Sequence, residues 1–182
     1  MRSKLKLRIR NASSEDAGIV RELSLSACIS SSSRRSCGFV DFETPSEEEY
    51  QVRIRSNSHF YVAELSGTVI GFMANYSSQV LENRLFPHDK IMKHFLEKEK
   101  PFVYGEQLTV TSKHRENGVG RLLFEHCLND IIGSYPVFFG AIAHNPFRNE
   151  PSISLCEQMG LGFFEELEDG VLTFGLYKKL LP

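Results

Sequence analysis

The sequence predicts an α/β fold, a mixed sheet covered by helices on both faces. Three observations lead there. Strand-like and helix-like segments interleave along the whole chain. The run over 137–143, VFFGAIA, is nearly continuous in apolar residues, as a strand buried on both faces is. Two shorter apolar runs, 59–65 and 69–76, are joined through Ser66-Gly67, which is a hairpin signal. The 182 residues are enough to bury a core without metals or disulfides, and all of 1–182 reads as one domain.

The elements follow in order. Leu5, Leu7 and Ile9 alternate with Lys6, Arg8 and Arg10, which predicts a half-buried first strand. Ser13, Ser14, Glu15 and Asp16 supply helix-start chemistry ahead of the helical pattern of Ile19, Val20, Leu23 and Leu25. The polar stretch 30–36 reads as a loop, and 46–55 as a second helix. After the hairpin, 79–100 is charged, with helical spacing around 91–96. A strand is expected over 102–111. A helix follows over 119–132, with Leu122, Leu123, Cys127, Leu128, Ile131 and Ile132 clustered on one face. Beyond the central strand, 152–159 reads as a helix, and 162–166 and 171–177 as closing strands.

Composition excludes some functions. The net charge of −2 gives no surplus to hold nucleic acid, and no polybasic run faces a membrane surface. No stretch approaches the roughly 18 apolar residues of a membrane helix. The basic start, 1–10, leads into no apolar core, so no secretory signal is expected. Cys28, Cys37, Cys127 and Cys156 are scattered without ligand spacing, and no metal is expected. The reading is a reduced, cytoplasmic protein. The histidines show no ligand spacing either. His144 lies at the exit of the central strand, while His88, His94 and Asp89 lie in the variable segment, where a charged surface is the plain reading.

The most informative segment is 108–123, LTVTSKHRENGVGRLL. A strand ends near Val110 and a helix begins near Val119. Between them lie Arg115, Glu116, Asn117, Gly118, Val119 and Gly120. The first amides of a helix lack intrahelical partners and the dipole there is positive, which together favour a phosphate. Gly118 and Gly120 leave room for a pyrophosphate to approach the backbone, and Arg121 adds positive charge. Asn117-Gly118 is also a hairpin-turn signal, but the helical spacing from Val119 onward opposes that reading. No Gly-Lys-Ser/Thr follows, so this is not a Walker loop, and the third glycine of a dinucleotide fingerprint is missing.

Arg115-x-x-Gly118-x-Gly120 after a strand ending in Val110 resembles the Arg/Gln-x-x-Gly-x-Gly/Ala signature of the GNAT superfamily. The segment 149–163 resembles that family's second motif, with Asn149, Ser152 and Gly160 in register and Phe163 slightly later than usual. The likeness extends over nearly the whole chain. It implies a mostly antiparallel sheet of about six or seven strands with a splayed pair. It implies acetyl-coenzyme A as donor, a small-molecule or peptide amine as acceptor, and direct transfer in a ternary complex. The strand segments 102–111 and 137–143 would splay around the donor's arm. Leu108, Thr109 and Val110 would meet it through the backbone, and Asn149 and Ser152 from the other side, although Asn149 is equally a helix N-cap.

A lysine-like amine, with a pKa of about 10.4, must lose a proton before it attacks. Glu106 is the candidate base, expected by alternation to share a face with Leu108 and Val110, and Gln107 stands where many relatives carry Glu. The position at which the family often has a Tyr acid holds Cys156, whose thiol is shorter. Water, Tyr104 or Tyr135 are the other proton sources. A non-catalytic acyl-coenzyme A-binding module fits the same residues. A homodimer paired through the strand over 171–177 is a further expectation.

Overall fold

The computed structural model describes residues 6–32, 37–83, 89–98 and 100–182. The strand start at Leu5, part of the polar stretch 30–36 and His88 lie outside the described residues. Among those described, a seven-stranded sheet runs in the order β1-β4-β5-β6-β7-β9-β8. The strands are β1 (Leu7–Asn11), β4 (Phe60–Leu65), β5 (Thr68–Ser77), β6 (Phe102–Val110), β7 (Val137–Asn145), β8 (Gly162–Asp169) and β9 (Leu172–Leu180). All neighbours are antiparallel except β6 and β7, which are parallel. The fold expectation is met. A short parallel pair, β2 (Cys28–Ile29) with β3 (Phe39–Val40), flanks the polar stretch, where sequence predicted only a loop.

Among the described residues, six α-helices accompany the sheet: α1 (Ala17–Ala27), α2 (Glu47–Arg55), α3 (Ser78–Glu82), α4 (Lys90–Leu96), α5 (Val119–Ile131) and α6 (Glu150–Gln158). Capping chemistry sets several of their starts. Ser46 and Glu49 form a reciprocal capping box at α2, and Asp89 Oδ1 accepts from Met92 N at 2.8 Å at α4. The hairpin turns as expected at Ser66 and Gly67, both at positive φ.

Two cores lie on opposite faces. One packs Leu123, Cys127 and Ile131 of α5 and Ile153 and Cys156 of α6 against Met73, Val103, Val110 and Phe138. The other packs Val20, Tyr50, Ile54 and Phe95 of α1, α2 and α4 against Phe72, Phe102, Tyr104 and Phe139. Leu122 and Ile132, expected on the apolar face of α5, are 42% and 44% exposed. The helix presents a narrower stripe than the run of apolar letters suggested.

The feature that positions the site is the parallel pair. β6 and β7 stay in register only from Phe102 with Val137 to Gly105 with Gly140. Beyond those glycines the strands diverge, and a gap opens between residues 106–110 and 141–145. β9 does not lie at an edge. It is hydrogen-bonded to β7 on one side and β8 on the other, so the expected pairing of 171–177 between subunits has no free edge to use.

Candidate active site

One side of the site is built on the turn into α5. Gly118 sits at φ 76 as the N-cap and Glu116 at φ 64. Only a glycine takes the first of these without strain. The first helical bond runs from Leu122 N to Gly118 O, 3.0 Å, which leaves the amides of Val119, Gly120 and Arg121 without intrahelical partners. Arg115 Nε donates to Val110 O at 3.1 Å and ties the loop back to the strand end. A Cβ on Gly120 would meet Leu155, Leu108 and Val110 only at ordinary contact distance, so this glycine is not demanded by space. Arg121 is exposed and pairs with Glu125 at 2.7 Å. A cleft of about 670 Å³ runs along this turn, past Thr109, Val110, His114 and Ser152. Asn117 is exposed and stands apart from its wall, and His114, unmarked in the sequence, joins it.

The strand offers backbone groups to the gap. Thr111 N donates to Ile70 O on the β5 side, 2.8 Å. By strand alternation, the amide and carbonyl of Val110 and of Leu108 therefore point into the gap. Asn149, 6% exposed, caps α6 by accepting from Ser152 N at 3.3 Å, and its amide reaches Gly38 O at 3.5 Å. The side chain thus ties α6 to the segment that leads into β3.

A second cavity, of about 530 Å³, adjoins this cleft. Glu106 lines it. The expectation that Glu106 shares a face with Leu108 and Val110 is overturned. Ala74 pairs with Gln107 and Asn75 with Gly105, so Glu106 is the extra residue of a β-bulge. The bulge turns Glu106 and Gln107 to the α2 side together. Glu106 meets Arg53 at 3.3 Å, and Gln107 accepts from the Tyr50 hydroxyl at 3.0 Å, while Leu108 and Val110 join the α5 core. Gly105, just before it, admits the Phe138 ring, which a Cβ would approach to 2.7 Å.

The Glu106 side chain is only 6% exposed. Burial raises its carboxyl to about 7, against the opposing pull of the Arg53 guanidinium. Cys156 is buried on α6 and lines the same cavity, and burial pushes its thiol up to about 12. Such a thiol holds its proton far more tightly than a free thiol at about 8.5, so handing it to a coenzyme thiolate is uphill. Tyr104 lines the cavity and burial raises its hydroxyl as well. Tyr135 lines neither cavity; its ring packs edge-on against His59. His144 is turned away, with Nδ1 on Glu166 at 2.9 Å and Nε2 on the Tyr177 hydroxyl at 3.0 Å. His94 pairs with Glu165 at 3.2 Å.

The two cavities share Gly38, Phe39, Leu108, Asn149, Ser152 and Leu155 as a common wall. A ligand held at the α5 turn therefore leads into the chamber that holds Glu106. Neither Arg53 nor the bulge carries a sequence signal. Arg53 is far along the chain from Glu106, and only the register with β5 reveals the extra residue.

A family model described as the acetyltransferase (GNAT) family matches residues 28–161. Among solved structures, an N-acetyltransferase from Staphylococcus aureus Mu50 superposes with a TM-score of 0.68 at 16% identity, over 97% of this chain and 99% of that one. The structure of yncA from Salmonella typhimurium with its cofactor acetyl-CoA gives 0.68 at 15% identity, over 97% and 95%. Arabidopsis thaliana Naa50 in complex with the bisubstrate analogue CoA-Ac-MVNAL gives 0.63 at 14% identity, over 95% and 97%. At these identities the likeness establishes the fold. No curated protein matched the chain in sequence. No described helix is long and apolar enough to cross a membrane. With most of its length matched and the sheet splayed beside an open helix N-terminus, the chain belongs to the acetyltransferase (GNAT) family and is an acetyltransferase.

Proposed function

We propose that this enzyme moves an acetyl group from acetyl-coenzyme A to a primary amine by direct attack in a ternary complex. The observation that carries the reading is the shared wall between the cleft at the α5 turn and the chamber that holds Glu106. The donor supplies an activated acyl thioester. The amides of Val119, Gly120 and Arg121 would hold its pyrophosphate, and the backbone of Leu108 and Val110 its arm. The same strand amides are suited to the oxyanion that develops on the acyl oxygen. Naa50, bound to an analogue that joins coenzyme A to a peptide, has both substrates meeting on this fold, which supports a meeting in the gap here.

Glu106 takes the proton from the attacking nitrogen. Its carboxyl near 7 suits a base working at neutral pH. The N–C bond forms, the C–S bond breaks, and the thiolate leaves. We assign its reprotonation to solvent rather than to Cys156, because the buried thiol is too weak an acid. Free cysteines at Cys28, Cys37, Cys127 and Cys156 fit a reducing compartment, and we extend the reading to the cytoplasm. Calorimetry with coenzyme A and thiol release from acetyl-coenzyme A across an amine panel test the proposal. Binding together with amine-dependent release is expected. Binding without release for any amine would overturn the transfer step, and no binding would overturn the donor site.

A further inference from the structure

A contact that a regular strand forbids sets the surroundings of Glu106. Consecutive residues of a strand point to opposite faces. The bulge on β6 instead turns Glu106 and Gln107 to one side, and their side chains meet. Gln107 Nε2 donates to Glu106 Oε2 at 3.2 Å, as near as the Arg53 guanidinium at 3.3 Å. An amide donor beside a carboxylate favours its charged form.

The other end of the same amide is fixed. Gln107 is 2% exposed, and its Oε1 accepts from the Tyr50 hydroxyl at 3.0 Å. Burial pushes that hydroxyl up to about 12, so it keeps the proton this bond needs. A Gln107 amide turned over would set its carbonyl oxygen against the Glu106 carboxylate, two acceptors with no proton between them. Tyr50 is fully buried on α2, and its ring packs edge-on to Phe60 and to Phe72, with centroids 6.4 Å away in each case. The Arg53 guanidinium lies 5.9 Å from the centre of the same ring. Tyr50 therefore meets both side chains that hold Glu106. The other titratable groups facing Glu106 are Tyr76 from β5, Tyr104 from its own strand and Asp89 at the start of α4.

Resting on the reading of Glu106 as the base, we propose that Gln107 and Tyr50 are positioning residues of the transfer: Tyr50 locks the Gln107 amide, and the amide aims the Glu106 carboxylate and keeps it ready for the proton. The effect runs in one direction, from Tyr50 through Gln107 to Glu106.

The test is a double-mutant cycle read across pH. Thiol release from acetyl-coenzyme A, with an amine that supports turnover, gives kcat, KM and the acid limb of kcat/KM. Circular dichroism reports that each variant is folded. Gln107→Met removes a donor to the charged carboxylate, so the Glu106 carboxyl rises and the acid limb should move up by about one pH unit. Its kcat above the limb should fall about tenfold, with KM for the amine little changed. Tyr50→Phe should move both readings the same way by a smaller amount. In the double variant the limb and kcat should match Gln107→Met alone, because Tyr50 acts only through the amide. An acid limb that Glu106→Gln abolishes but neither variant moves, or effects that multiply in the double variant, overturns the positioning role and leaves Glu106 as the base. Where Gln107→Met does not fold, Tyr50→Phe decides alone, since its ring still fills the place between Phe60 and Phe72, and an unmoved limb overturns the role. An acid limb that persists in Glu106→Gln, or no transfer to any amine, overturns the base and its positioning together.

Discussion

Glu106 is buried beside Arg53 because of where one extra residue falls. Burial raises its carboxyl to about 7, so below that pH it carries its proton and cannot accept another. The profile of kcat/KM should therefore fall on the acid side with a limb near 7. Glu106→Gln should lower kcat by about a hundredfold and abolish that limb, measured by thiol release across pH. Cys156 is a contrasting case. It is buried against the α5 core and its thiol stays protonated, so Cys156→Ala should leave the pH–rate profile unchanged and cost roughly 1 kcal/mol in chemical denaturation. The two glycines of the turn also separate. Gly118 has positive φ and Gly120 does not. Gly118→Ala should cost about 1 kcal/mol and weaken coenzyme A binding, whereas Gly120→Ala should do neither.

At the scale of elements, α6 and β6 bring the chemistry to the gap. Asn149 both starts α6 and holds the Gly38 carbonyl, so it fixes the common wall of the two cavities. Asn149→Ala should cost about 1 kcal/mol for the lost cap. Asn149→Asp should restore that stability but not the bond to Gly38, and should keep a raised KM for acetyl-coenzyme A. Denaturant melts and initial rates on the two variants separate capping from donor contact. On β6, the bulge is what lets one strand serve two partners. Its residues after the bulge offer amides to the gap, while Glu106 and Gln107 turn together toward α2.

For the whole molecule, the sheet carries a core on each face, and the opening between β6 and β7 is a break in the sheet that lies between those faces. A donor held in this break, as proposed above, would bind only the folded state. Coenzyme A at about a hundred times its Kd should therefore add about 2.7 kcal/mol of stability. For a chain of this size that is roughly 5–10 °C in Tm, readable by calorimetric melting. The exposed edges of the sheet are β1 and β8, so any association by strand addition would use those rather than β9.

The order of the seven strands of the main sheet, the hairpin at Ser66-Gly67, the buried central strand and the turn at Arg115–Gly118–Gly120 were all legible in the letters. Each depends on neighbours within a few residues, and periodicity, turn chemistry and open helix amides are local properties. The narrow stripe of α5, the β2–β3 pair, the interior place of β9 and the partners of Glu106 were not legible. Strict alternation put Glu106 on the face of Leu108, and one inserted residue, visible only against β5, reversed it. The link between Arg53 and Glu106 joins residues distant in sequence. Sequence determined that this chain builds a glycine turn with open helix amides on an α/β sheet. Tertiary structure decided which carboxylate is buried beside it and which cation pairs with that carboxylate, because burial and charge pairing are set by long-range packing.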